Sequence, residues 1–281
     1  MICHRDRGPN GFDTPSAFIK FAEQRILNGP LSGLDFPENL LGNPGTSAVL
    51  FLLGDLSSGR GFDPCLILNK RSQRVRQPGD LCCPGGHVSP YLDPLLSRIT
   101  ALPGMPLWSW PQWRPLRQSR PVTARRLALL LTTSLRESLE EMRLNPTGIR
   151  FIGPLPPVRL VMFRREIFPM VGWVRSQRRF FPNREVEKIV RIPIRDLVRP
   201  DRYRRYRLQI QFNGRSSSTT SHINDYPGFL HRRKGKSELL WGATYRITMA
   251  FLEQVFDFTA PDPETLPIAR GVLNNRYING R

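Results

Sequence analysis

Three glutamates, Glu137, Glu140 and Glu141, stand at i, i+3 and i+4 in Arg136-Glu137-Ser138-Leu139-Glu140-Glu141. On a helix this spacing puts the three carboxylates on one face. Like charges there repel one another unless a cation sits among them. Oxygen ligands of this kind suit Mg²⁺ or Mn²⁺. Standing alone, such a cluster more often marks a solvated surface helix. The second feature is Pro84-Gly85-Gly86. Two glycines permit positive φ and let the backbone come close to a ligand, although a lone Gly-Gly is usually a turn.

The glutamates need a helix to hold them, and residues 123–144 supply one. Thr123 can cap it, helix formers fill it, and it stops before Asn145-Pro146. Leu135, Leu139 and Met142 are then placed to face a core. The glycines need a strand and a turn before them, and the polar, then Cys-rich run 71–86 reads as loop, short strand and tight turn. Buried strands are expected at 47–53 and 64–69, with a hairpin-like turn between them. Further strands are expected at 149–155, 167–174 and 189–194, with a turn starting at 195–197. A helix is expected at 13–27, with Thr14 or Asp13 as cap and Phe18, Phe21, Ala22 and Ile26 as its stripe. Residues 29–46 read as loop. Residues 208–212 alternate like an edge strand, 216–221 form a serine-rich loop, and 238–258 read as a final amphipathic helix. Residues 94–122 crowd prolines and the tryptophans Trp108, Trp110 and Trp113 into a basic segment, which reads as an inserted loop or small lid. The chain divides into a helix and loop over 1–45, a main domain over 46–258 with an insertion at about 94–122, and a tail over 259–281. No internal repeat is present.

Composition limits the partners. The chain has 281 residues, 40% of them hydrophobic, which is enough for a core and excludes a wholly disordered chain. Lys and Arg number 42 against 23 Asp and Glu, a net charge of +19. That charge attracts polyanions such as nucleic acid, anionic lipid or phosphorylated metabolites, or belongs to a solvated basic face. Cys3, Cys65, Cys82 and Cys83 form no C-x-x-C pair, and adjacent Cys82 and Cys83 are badly placed to bond to each other. Reduced thiols and a cytoplasmic location are expected. The first residues lack the apolar core of a secretory signal, and no apolar run is long enough for a membrane span.

The two features taken together are more specific than either alone. Arg71-Ser72, Arg76, Pro78-Gly79-Asp80 and Pro84-Gly85-Gly86, followed by Arg136-Glu137-Ser138-Leu139-Glu140-Glu141, resemble the Nudix hydrolase family. Its box reads G-x5-E-x7-R-E-U-x-E-E-x-G-U, with U aliphatic. Gly86 matches the first glycine, and Arg136, Glu137, Glu140, Glu141 and Leu144 match the second half. The run from Lys70-Arg71-Ser72 to Gly86 is similar to the extra motif of the coenzyme A diphosphatase branch. Gly153-Pro154-Leu155, Asn183-Arg184-Glu185-Val186 and Trp241-Gly242-Ala243-Thr244 resemble later segments of that branch, so the likeness runs from about residue 46 to about 257. Gly86 to Arg136 spans 50 positions where the box spacing gives 14, so 36 residues are inserted. The first box glutamate falls on Leu92, with Asp93 beside it as the candidate substitute. Ser138 stands in an aliphatic position, Arg143 in a glycine position, and Cys83 replaces a Phe.

The resemblance implies a Nudix α/β/α sandwich, with a mixed β-sheet between helices. It implies metal-dependent hydrolysis of the diphosphate linkage in coenzyme A, an acyl-CoA or a related nucleoside diphosphate compound. Glu137 and Glu141 would bind Mg²⁺ or Mn²⁺, with Glu140 assisting as ligand or base and Arg136 holding the glutamates by ion pairing. Glu185 is a second candidate base. Arg71 and Arg76 are candidates for substrate phosphates, since a guanidinium makes bidentate contacts to phosphate oxygens. Gly85 and Gly86 would line the substrate site. His87 could approach the phosphates and the tryptophans could stack on an adenine, though a structural role is the ordinary one for each. The alternative is a nucleotide- or nucleic-acid-binding module on the same fold, suggested by the charge and by the Arg/Tyr alternation over 202–207.

Overall fold

The computed structural model describes residues 11–29, 36–43, 45–57, 61–160, 165–212, 220–233, 235–273 and 277. Cys3, part of the 29–46 loop and the greater part of the serine run 216–221 lie outside them.

Helix α1 (Pro15–Asn28) starts where expected, with the Thr14 hydroxyl accepting from the Ala17 amide at 3.3 Å. Strand β1 (Thr46–Asp55) is the hub of the sheet. Its residues alternate between two cores: Val49, Phe51 and Leu53 face one, Ala48, Leu50 and Leu52 the other. A continuous apolar run is what a strand buried on both faces requires. β1 pairs antiparallel with β2 (Pro64–Arg71) and with the short β4 (Gly85–His87), and parallel with β7 (Arg165–Val174). The path β3 (Leu81–Cys82), β2, β1, β7, β5 (Ile149–Pro154) makes the mixed sheet, with β8 (Val186–Pro193) beside β2 and β6 (Val158–Leu160) beside β7.

Helix α4 (Pro121–Met142) covers one face of this sheet through Leu127, Leu130, Leu131, Leu135 and Met142. Helices α1 and α6 (Gly242–Phe256) cover the other through Phe18, Ala22, Ile26, Phe251, Leu252 and Val255. The architecture is therefore the expected α/β/α sandwich, with a second sheet attached. That sheet runs β11 (Lys236–Trp241), β10 (Thr220–Arg233), β9 (Tyr203–Phe212), β12 (Ile268–Leu273).

Several expectations need correction. The helix placed at 238–258 begins only at Gly242, because residues 236–241 pair with β10 in register from Arg233↔Lys236 to Gly228↔Trp241. Gly242 turns the chain at φ +64°. The 208–212 segment belongs to an interior strand, since β9 has β10 on one side and β12 on the other. The tail contributes β12 and so is partly built into the sheet. Strands β6 and β10 were not anticipated. The turn at 195–197 is the short helix α5 (Ile194–Leu197). Helix α4 starts at Pro121, two residues before Thr123, and has no side-chain cap. Leu139 does not face the core but is 42% exposed, whereas Ser138 is fully buried. The core face is centred on Leu131, Leu135, Ser138 and Met142, and Leu139 sits about a quarter-turn away at 100° per residue. Ser138 tolerates burial because its hydroxyl donates to the Ser134 carbonyl at 2.6 Å.

The insertion is not simply a loop. It forms α2 (Leu92–Thr100) and α3 (Trp113–Ser119), which lie against α4. Trp110 and Trp113 are buried in the core beneath α4. The Trp110 indole N–H donates to the Ile152 carbonyl at 3.0 Å, and its ring meets Phe151 edge-on at 5.1 Å. These two rings are consumed by the core and do not offer a base-stacking face. Trp108 is 38% exposed and carries the Arg114 guanidinium over its ring.

Helix α4 ends on Arg143 at φ 56°, ψ 37°, with its amide returning to the Leu139 carbonyl and the Leu144 amide to Ser138. A left-handed residue at a helix end is the position glycine fills at least cost. Arg143→Gly is expected to raise folding stability by about 1 kcal/mol, read as a higher urea midpoint with unchanged slope.

Candidate active site

The glutamate helix and the Gly-Gly turn meet face to face. Gly85 sits at φ +150°, and a Cβ there would lie 2.4 Å from the Ala48 carbonyl oxygen. A Cβ on Gly86 would lie 2.5 Å from the Glu137 carboxyl carbon. Glycine is therefore required twice: once to press β4 against β1, and once to leave space beside Glu137. Glu141 lies next to the same turn, accepting from the Gly85 amide at 3.4 Å and from the Asn69 amide nitrogen at 2.7 Å. Burial, followed by the charge of Glu137, pushes Glu141 up to about 8. Glu137 is also raised, by burial first and in part by the neighbouring charges of Glu140 and Asp93, while Arg136 opposes the rise.

Asp93 is completely buried at the start of α2 and is held from three sides. It accepts from Arg136 Nε at 2.7 Å and Nη2 at 3.2 Å, from the Ser89 amide at 2.7 Å and from the Thr133 hydroxyl at 2.7 Å. Arg136 then reaches Glu137 at 3.0 Å, Glu140 at 3.1 Å and the His87 carbonyl at 3.1 Å. One guanidinium thus joins the insertion, the helix and the Gly-Gly turn. Charge-assisted bonds to several carboxylates keep it protonated and fix its orientation. Glu140 is placed differently from its two neighbours. Its side chain is 54% exposed, and its bond is to Arg136 on the outer side of the helix.

The remaining residues named from sequence fall into two groups. Arg71, at the end of β2, lies close enough to Glu141 to oppose its rise, and its Nε donates to the Arg76 carbonyl at 2.7 Å. The Arg76 side chain is exposed and has no hydrogen bond or ion pair among the described residues. Glu185 is also exposed, but its backbone is pinned next to the site. The Ser72 amide donates to the Glu185 carbonyl at 2.8 Å, the Ser72 hydroxyl to Arg184 at 2.8 Å, and the Asn183 amide to the Glu141 carbonyl at 2.8 Å. The Arg71-Ser72 loop, the Asn183–Glu185 segment and the end of α4 are therefore stitched together through backbone groups.

Asn69 is the contact that sequence reasoning missed. It is buried at the end of β2, and its Oδ1 has no partner among the described residues. Its position one residue before Lys70-Arg71 in an otherwise apolar strand was the available signal. Asp80 was read only as part of the loop motif, with no role of its own. Burial raises its carboxyl to about 6, against hydrogen bonds donated by Tyr277 and, at 3.1 Å, by the Trp241 indole. A carboxyl that holds its proton more tightly when folded stabilises below its ordinary 3.8, and that stability is lost as pH rises through about 6. Thermal melts across this window should show the loss, and Asp80→Asn should remove its share of the slope.

These residues fit a divalent cation. Two half-buried carboxylates face a glycine turn that leaves room beside Glu137, and a buried amide oxygen lacking a partner is close by. Among the described residues no group of three His, Cys, Asp or Glu side chains converges as a ready-made cage. Cys65, Cys82 and Cys83 are free, and burial pushes Cys65 and Cys82 up to about 12 and Cys83 further still.

The second sheet bears on the nucleic-acid alternative. Arg207 forms a two-pronged pair with Asp225 at 2.9 and 2.8 Å, Arg204 donates to backbone carbonyls, and Tyr203 is fully buried. Much of the Arg/Tyr alternation is thus used within the sheet. Among the described residues no helix is long and apolar enough to cross a membrane.

No family model matches the chain. Over 83 residues it is 34% identical to an uncharacterized Nudix hydrolase, NudL, of Pectobacterium atrosepticum, covering 29% of this chain and 42% of that relative. The chain thus spans less than half the length of the curated relative it matches. Among solved structures, a MutT/nudix family protein of Enterococcus faecalis aligns over 90% of this chain and 78% of its own, with 13% identity and a TM-score of 0.37. A Caenorhabditis elegans Ap4A hydrolase aligns over 54% and 83%, with 12% identity and a TM-score of 0.33. The NUDIX domain of Shewanella oneidensis NrtR, solved with ADP ribose, aligns over 58% and 82%, again with 12% identity and a TM-score of 0.33. The curated match supports the Nudix resemblance read from the split box, while the sandwich itself rests on this chain's own sheet and helices.

Proposed function

We propose that this chain is a Nudix hydrolase that cleaves a diphosphate linkage with a divalent cation held by Glu137 and Glu141. The observation that carries this reading is the convergence of those two half-buried carboxylates on the Gly85-Gly86 turn, with Asn69 bonded to one and Arg136 to the other. Buried like charges are costly and call for a compensating cation. When bound, Mg²⁺ or Mn²⁺ supplies charge neutralisation at the diphosphate and lowers the pKa of a water.

The protein's own contribution is positional. Arg136 fixes Glu137, and Asn69 with the Gly85 amide fixes Glu141. The glycines let the diphosphate approach the backbone. Arg71, beside Glu141, is placed to meet phosphate oxygens, and Arg76 extends that charge outward. Glu140 and Glu185 are exposed at the rim, where each can accept a proton from an attacking water once substrate is in place. Coenzyme A or an acyl derivative is the proposed substrate class, on the Arg71-Ser72 to Gly86 motif and on the way the Asn183–Glu185 segment is bonded to it.

The test is turnover of purified protein with Mg²⁺ or Mn²⁺ against coenzyme A, NADH, ADP-ribose and dinucleoside polyphosphates. Hydrolysis of coenzyme A above the others is the expected result. No turnover of any of them would overturn the assignment, and a preference for another member would overturn the substrate class alone.

A further inference from the structure

Helix α2 and the turn after it turn a row of large apolar side chains outward. Tyr91, Leu92, Leu95, Ile99 and Leu102 are between 49% and 83% exposed. Leu92, Leu95 and Ile99 fall within about 60° of one another on the helix. The opposite side of α2 is already satisfied. Asp93 and Thr100 are buried there, with Asp93 bonded to Arg136 and the Thr132 hydroxyl donating to Thr100 at 2.8 Å. The outward row is therefore not needed to hold α2 to α4. Isolated exposed leucines are ordinary, but a continuous stripe on an inserted helix marks a contact surface.

The charges around the stripe indicate what it contacts. From residue 89 to residue 135 the sequence holds six arginines, Arg98, Arg114, Arg117, Arg120, Arg125 and Arg126, and a single acid, Asp93. The carboxylate of that acid is fully buried and bonded to Arg136, so it presents no negative charge to the outside. Arg98, Arg114 and Arg117 are exposed, and Arg114 lies over the exposed Trp108 ring at 4.9 Å. An apolar stripe with Arg98 beside it, followed through the turns at 99–108 by the indole of Trp108 under Arg114, makes up the pattern of a helix that lies in a membrane interface. A second copy would bring the same arginines together and is disfavoured by like-charge repulsion.

We propose that the exposed face of α2, with Arg98 and the Arg114–Trp108 pair, docks on an anionic lipid surface. This stands apart from the hydrolase reading, since none of the docking residues belongs to the glutamate site. The helix lies flat, with Leu92, Leu95, Ile99 and Leu102 entering the acyl boundary and the arginines meeting headgroup phosphates.

Co-sedimentation of the full chain with vesicles tests this. The protein should bind vesicles of phosphatidylcholine with phosphatidylserine at least about tenfold better than phosphatidylcholine alone, and added salt should weaken binding. Leu95→Glu with Ile99→Glu should reduce binding to the mixed vesicles at least about tenfold. Leu95→Gln with Ile99→Gln provides a neutral second variant, and an unchanged thermal melt shows that each remains folded. Both variant pairs should lose binding; absence of wild-type binding would overturn the proposal, as would binding at the wild-type level by the Gln pair, which would reduce the effect to charge alone. A concentration-dependent dimer in sedimentation velocity that Leu95→Glu with Ile99→Glu abolishes, without lipid binding, would assign the face to a second copy instead.

Discussion

Arg136→Ala is expected to lower folding stability by about 3–5 kcal/mol, the usual cost of removing one partner from a buried ion pair. The loss is large because Asp93 is fully buried and would retain only the Ser89 amide and the Thr133 hydroxyl as donors. Glu137 would lose its cation in the same step. Urea unfolding measures the change. Adding Asp93→Asn to Arg136→Ala should recover part of it, since the buried charge is then gone as well. A cost below about 1 kcal/mol, the range of an exposed pair, would show that Asp93 is hydrated in solution and that the guanidinium is not its main support.

The second large effect separates activity from stability. Glu141→Gln is expected to reduce diphosphate hydrolysis at least about a hundredfold, since even indirect partners of a metal ligand are worth 10- to 100-fold. The same change should stabilise the metal-free protein. Burial and Glu137 raise Glu141 from 4.5 to about 8, so folding favours its protonated form. That stabilising contribution is complete below about pH 4.5 and is lost as pH climbs through about 8. Glutamine cannot ionise, yet it can still accept from Asn69 and Gly85. Melts in EDTA should therefore favour the variant at pH 8 and show little difference at pH 5, whereas added Mg²⁺ should raise the wild type alone. Undiminished hydrolysis by the variant would remove Glu141 from the site.

The central strands were legible because β1 is buried on both faces, and such strands appear as unbroken apolar runs. Glu137, Glu141, Gly85 and Gly86 were legible because each demand is local: a helical spacing for the acids, a permissive backbone for the glycines. Contacts between distant segments were harder to read. Nothing in the local pattern around Asn69 announces a bond to Glu141, 72 positions away. Residues 238–241 deceived for a related reason. Glu238-Leu239-Leu240-Trp241 has helical propensity, but pairing with β10 outweighs it. Leu139 shows the limit of counting apolar residues without fixing the helix's angular origin. Asp93 could be noticed as the acid beside an expected glutamate, while its pairing with Arg136 required the fold.

The tryptophan anchoring of the insertion sets how the gene can be trimmed. A designer might treat residues 94–122 as ornament and splice the box back to its ordinary length. Trp110, clamped to Ile152 and Phe151, makes the later part of the segment a cork in the sandwich wall. Excising it would uncork the core below α4. The outward side chains of α2 lie apart from this cork, whereas Thr100 on its inner side is buried and accepts from Thr132. Plug and outward surface thus share one insertion, and folding depends on the plug.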